Sequence, residues 1–142
     1  MTIRAILDRK GREVVSIDVG ARLAEAVALL AGRRIGALVV TDGGAPAGIL
    51  SERDVVACMA KEGAATLDLP VSRVMTAPAV TVTPDVPVLS ALSDMSRRRI
   101  RHLPVVEAGR LAGIVSIGDL VAWRIARIEE EAQAMRNYIQ NA

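Results

Sequence analysis

The chain contains no phenylalanine, and among its 142 residues it has a single tryptophan (Trp123), tyrosine (Tyr138), cysteine (Cys58) and histidine (His102). Apolar residues nevertheless make up 51% of it, so its core must be built from Ala, Val, Leu, Ile and Met, which suits close helix-on-sheet packing. One cysteine excludes an internal disulfide and fits a reducing compartment, so a cytoplasmic location is expected. With one cysteine and one histidine, neither a zinc site nor a Cys–His nucleophile can be assembled within one chain. No paired acids stand out as general acid and base either, so no metal, no catalytic cofactor and no enzymatic activity are expected. Long apolar runs are also missing, because Gly, Arg or Asp interrupts each one before the roughly 18–20 residues of a membrane span. The opening stretch MTIRAILDRKGREV turns charged too early for a secretory signal. Nor is there an excess of one charge: 18 basic residues face 16 acidic ones, for a net +2. That balance argues against nucleic-acid binding by bulk charge.

What the chain does have is a second copy of itself. GILSERD at Gly48–Asp54 returns as GIVSIGD at Gly113–Asp119, an offset of 65 that also relates Ser51 to Ser116. Fifteen positions between Val15 and Ala57 meet the same residue type at that offset without a gap, which marks an internal duplication. Each copy carries the same order of signals. A short β-branched stretch (VVSIDV, AVTVTP) precedes a helical stripe (Leu23, Val27, Leu30; Val88, Leu92, Met95). A buried-strand run (IGALVV, IRHLPVV), a turn, a second strand and another helix beginning near Asp54 or Asp119 follow. The expected fold is α/β (α+β), two β-α-β-β-α units and a C-terminal helix, divided as 1–65, 66–124 and 125–142.

Ser51 and Ser116 stand where a strand gives way to a helix, each with an acid three residues on. One reading is a helix N-terminus, with a serine cap and an acid complementing the dipole. That alone does not explain Gly48 and Gly113, since glycine weakens a strand unless something must approach the backbone closely. The other reading is a polar rim able to take hydroxyls and an anion, Asp accepting from a ribose diol being one chemistry that fits.

Taken together, GILSERD and GIVSIGD with RRIGALVV and RRIRHLPVV at constant spacing resemble a tandem pair of CBS domains, a Bateman module, in its stand-alone bacterial form. The resemblance runs from about Thr2 to Trp123. It implies repeats packed through their sheets about a pseudo-two-fold axis, with two clefts that take adenosine-containing ligands, and a regulatory role. In the cleft of the second motif it would give Asp119 the ribose hydroxyls and Ser116 ribose or phosphate. Arg101 and His102 would reach phosphates, and the adenine would lie between Ile17, Asp18 and Val19 on one side and Ile35, Gly36 and Ala37 on the other. In the first-motif cleft, Asp54 and Ser51 would take the ribose, Arg53 would supply a charge, and Thr83, Pro84 and Ile100 would lie near the base. Gly36 and Ala37 stand there in place of Arg101 and His102, so phosphate ligands are expected in the second-motif cleft. The function implied is an adenine-nucleotide sensor of AMP, ADP or ATP type, acting as a homodimer on another protein. A ligand-independent adaptor, a binder of S-adenosylmethionine or NAD(H), and a nucleic-acid binder are the alternatives.

Three further features have two readings each. In SRRRIRH, Arg98 and Arg99 repeat Arg33 and Arg34 as charges at a helix C-terminus, whereas Arg97, Arg101 and His102 have no basic counterpart and suit phosphate oxygens. Cys58 reads as a small apolar filler rather than a redox switch. Running on past Trp123, where the duplication ends, the residues Val121, Ile125, Ile128, Ala132, Met135 and Ile139 form a heptad seam that either folds back on its own domain or pairs with a second chain.

Overall fold

The computed structural model describes residues 1–142. The chain runs α1 (Ile3–Lys10), β1 (Ser16–Asp18), α2 (Leu23–Arg33), β2 (Ala37–Asp42), β3 (Ala45–Ser51) and α3 (Glu52–Glu62). After two short 3-10 turns it continues through α4 (Val88–Arg98), β4 (His102–Glu107), β5 (Arg110–Ser116) and α5 (Ile117–Asn141). No helix is long and apolar enough to cross a membrane.

The two units repeat each other in detail. Helices α2 and α4 bury matching residues, Leu23, Ala26 and Leu30 against Val88, Ala91 and Met95. Both end on an arginine in the left-handed region, Arg34 at φ 53° and Arg99 at φ 56°, a helix stop usually taken by glycine. Hairpins β2–β3 and β4–β5 pair Val40 with Gly48 and Val105 with Gly113, and each shifts register at the next residue.

Strand β1 adds to the first hairpin in parallel, giving the order β1-β2-β3. Its expected counterpart in AVTVTP shrinks to one bridge, Val82 with Val105, so the second sheet has two strands. The cause is two prolines, one at each end of the ladder. Val39 N–H donates to Val15 O (3.3 Å), and 65 places on stands Pro104. Val19 N–H donates to Thr41 O (3.0 Å), and 65 places on stands Pro84, which has no N–H to give.

Each unit is closed by a segment that precedes the other. Ile3, Ile6 and Leu7 of α1 are buried in the core of the second unit with Val88, Met95, Leu103 and Val115. Val71 and Val74, from the link between units, are buried in the core of the first with Leu23, Leu38 and Leu50. Arg4 fastens α1 outside, pairing with Glu107 (2.8 Å) and Asp85 (3.2 Å). Core membership therefore crosses the boundary between 1–65 and 66–124 in both directions.

Candidate functional site

Both duplicated motifs are helix starts of the same build. Ser51 Oγ accepts from Asp54 N–H (3.2 Å) while Asp54 Oδ2 accepts from Ser51 N–H (2.9 Å). Ser116 and Asp119 do the same at 3.1 Å and 2.8 Å. This reciprocal box satisfies two otherwise orphaned donors at each helix N-terminus. The glycines have a common reason too. A Cβ on Gly113 would come within 2.7 Å of Leu7 Cδ2, and one on Gly48 within 2.7 Å of Thr76 O and 2.8 Å of Met75 Sδ. What approaches each backbone is the segment exchanged from the other unit.

Those segments also reach the two aspartates, and here the copies part. Thr76 Oγ1 donates to Asp54 Oδ1 (3.0 Å). Lys10, at the end of α1, places its ammonium on Asp119 Oδ2 (2.6 Å) and on the carbonyl of Ile114 (2.9 Å). Asp54 is met by an uncharged hydroxyl, whereas Asp119 is met by an ammonium in an ion pair.

The two clefts between the units differ accordingly. The larger, about 740 Å³, is lined by Ser51, Arg53 and Asp54 from the first motif and by Arg99, Arg101 and His102 from the start of β4, and reaches Ser116. Its apolar wall is Ile49, Pro78, Ala79, Val80, Ile100 and Ile117. The smaller, about 310 Å³, is lined by Lys10, Glu13, Val15, Ile35, Gly36, Ala37, His102, Ile114 and Ser116. Chemically, the larger cleft offers a carboxylate for hydroxyl donors, three guanidinium groups for an anion and an apolar wall for a planar ring.

Several expected site residues stand elsewhere. Arg101, expected beside the second motif, lines the first-motif cleft, while His102 reaches both. Successive residues at a strand start face opposite ways, and Arg101 immediately precedes β4. Ile17, Asp18 and Val19 line neither of these clefts. Ile17 is in the core, Val19 packs against it, and Asp18 turns back to accept from Gly20 N–H (2.9 Å). Val15 takes the place expected of them. Thr83 and Pro84 are also absent from both linings, because the carbonyl of Pro84 receives Arg4 N–H (2.9 Å) and this stretch carries α1. Asp119, expected at the centre of the second-motif cleft, lines neither cleft, and Lys10, which does line the smaller one, sits on its carboxylate. Thr76, Pro78, Ala79 and Val80 form that wall instead.

Sequence reasoning missed Lys10, Glu52, Thr76, Arg99 and Gly118. Arg99 carries a signal in its neighbours in SRRRIRH, where it reads as a helix-end charge, and Glu52 and Gly118 lie inside GILSERD and GIVSIGD. Lys10 and Thr76 sit in the exchanged segments, where no motif marks them.

Burial, then the charges of Arg101 and Lys10, push His102 below its ordinary 6.5, with Asp119 opposing. Burial works against ionisation of Asp119, yet the hydrogen bonds from Lys10 and the Ser116 backbone outweigh it and hold the carboxyl below its ordinary 3.8. At neutral pH, therefore, His102 is a neutral hydrogen-bonding group and Asp119 an ion-paired carboxylate.

Comparison with known proteins places this architecture. The CBS domain family model matches residues 4–61 and 71–126. The chain is 43% identical to the CBS-domain containing protein ATU1752 from Agrobacterium tumefaciens, with a TM-score of 0.83 over 87% of this chain and 99% of that one. It is 32% identical to the CBS domain protein PAE2072 from Pyrobaculum aerophilum, solved in complex with AMP, with a TM-score of 0.74 over 84% and 89% of the two chains. The mitochondrial CBS domain-containing protein CBSX3 of Arabidopsis thaliana is 38% identical over 121 residues, which are 82% of this chain and 59% of the plant protein. The chain thus spans about three fifths of that relative's length. With two family matches that together cover both repeats, the chain belongs to the CBS-domain family as a tandem pair.

Proposed function

We propose that this protein is a regulatory, non-catalytic sensor of adenine nucleotides of the AMP, ADP or ATP type, and that the first-motif cleft is its principal site. The observation that carries the reading is the cleft of about 740 Å³, in which Asp54, Arg53, Arg99 and Arg101 converge beside an apolar wall. That volume lies within the roughly 300–1,000 Å³ usual for small-molecule sites. In this reading Ile49, Val80 and Ile100 flank the adenine, Asp54 accepts from the ribose hydroxyls with Ser51 beside it, and the arginines meet the phosphates. The AMP complex of the 32%-identical PAE2072 supports the ligand class.

Because the lining comes from both units, occupancy biases how they pack, by as much as the ligand's affinity differs between arrangements. A second protein reads the altered surface. A reducing compartment such as the cytoplasm suits the single thiol, Cys58. A binder of S-adenosylmethionine or NAD(H), a ligand-independent adaptor, and a nucleic-acid binder using the arginines are the competing readings.

The test is thermal unfolding against AMP, ADP, ATP, NAD, NADH, S-adenosylmethionine and GMP, with Asp54→Asn as control. A ligand at about 100 times its Kd adds about 2.7 kcal/mol, a rise of several degrees in Tm. The expected result is a rise with the adenine mononucleotides that shrinks in Asp54→Asn. A rise confined to S-adenosylmethionine or the dinucleotides would move the ligand class. No rise with any, from protein shown to carry no copurified nucleotide, would leave the adaptor.

A further inference from the structure

We infer that Lys10 is an internal occupant of the second-motif cleft and makes the two clefts unequal, so that each chain takes one nucleotide rather than two. The inference rests on the nucleotide reading of the first-motif cleft and adds what decides the stoichiometry.

The comparison is made within one molecule. Each motif aspartate sits at the same helix start, in the same reciprocal box with its serine. Each is met by a residue from the segment exchanged by the other unit. For Asp54 that residue is Thr76, whose hydroxyl donates to Oδ1 (3.0 Å). For Asp119 it is Lys10, whose ammonium lies 2.6 Å from Oδ2 and has Ile114 O as a second acceptor at 2.9 Å. A ribose diol that sought Asp119 would have to displace the Lys10 ammonium from an ion pair and offer in its place only donors that carry no charge. It would also leave the ammonium without its partner near the half-buried imidazole of His102, on which the Lys10 charge already acts.

Lys10 does not reach this place by chance of rotamer. Its helix is fixed by Ile3, Ile6 and Leu7 in the second core, with Leu7 seated on the glycine gap at Gly113. The last turn of α1 is thereby held over the end of β5, and the side chain has only its own length to span. The residue 65 places on from Lys10 is Met75, which has no charge to offer Asp54. The inequality therefore follows from one residue in an otherwise repeated design.

Calorimetric titration of the full chain with AMP tests this, using wild type, Lys10→Ala, Lys10→Gln and Lys10→Ala/Asp119→Asn. Lys10 is at an exposed helix end, and circular dichroism of each variant checks that it folds. The expected result is one site per chain in wild type, two in both single variants, and one again in the double variant. Two sites in wild type, or one in both single variants, overturns the role of Lys10 and leaves the nucleotide reading standing. No site in wild type with one in Lys10→Ala, lost again in the double variant, upholds Lys10 and removes the first-motif cleft as a nucleotide site. No binding in any of the four overturns both.

Discussion

His102 and Asp119 form a small charge system around the Lys10 ammonium, which acts on both. His102 is shifted down chiefly by burial and then by Arg101 and Lys10, and Asp119 is held down against burial by Lys10 and Ser116. Both groups bind fewer protons folded than unfolded, so stability rises with pH across each interval. The contribution of His102 is present above its ordinary 6.5 and is lost as pH falls through its lowered value. That of Asp119 is present above its ordinary 3.8 and is lost below it, as the ion pair with Lys10 is protonated away. Tm measured against pH is therefore expected to fall in two stages on acidification. In His102→Gln the upper stage is removed and the lower one kept; an unchanged upper stage would show that another group titrates there. At this scale the sequence was informative about residue type but not about environment. His102 was legible as a departure from the repeat, and the proximity of Lys10 was not, because 109 residues separate it from Asp119.

Among the elements, the exchanged segments do more than close the cores. Segment 71–76 and helix α1 each lie against a strand glycine and each end at a motif aspartate. At Gly48 the obstacle to any side chain is backbone, Thr76 O at 2.7 Å, held by Ile49 N–H (3.0 Å) and unable to swing aside as a side-chain tip can. Gly48→Ala is expected to destabilise the fold by about 1–3 kcal/mol and to weaken nucleotide binding by moving Thr76 off Asp54. Chemical denaturation and titration with AMP measure the two effects. Loss of stability with full affinity would separate the packing from the site. The need for a close approach was readable from Gly48 and Gly113, since glycine in a strand requires a reason. The identity of what approaches was not, because local patterns carry no information about which distant segment fills a gap.

Taken whole, the molecule leaves the later turns of one long helix without a partner. Helix α5 buries Leu120 in its first turns, and every residue from Ile128 onward is exposed. Ile125, Ile128, Met135 and Ile139 are 52%, 48%, 59% and 65% exposed, so within one chain the heptad seam does not fold back. Spacing of alternating three and four residues is self-complementary, and we propose that a second copy covers it. Sedimentation is expected to show a dimer for the wild type and a monomer for Ile125→Glu/Ile128→Glu; a dimer in both would assign self-association to another face.

By itself the sequence determined that there are two α/β units, where their helices and hairpins fall, and that each motif ends a strand and starts a helix. All of these follow from short-range periodicity and from a duplication that needs no coordinates to see. Even the shortened strand was written in it, as two prolines, Pro84 and Pro104, where the other copy has N–H groups to give. Only the tertiary structure decided that each unit borrows its closing segment from before the other, and that this brings Thr76 to one aspartate and Lys10 to the other. Arg101 likewise joined the first-motif cleft by the way a strand's first residues alternate between its faces. These outcomes depend on contacts across most of the chain's length, where packing and charge choose among arrangements that local sequence leaves equal.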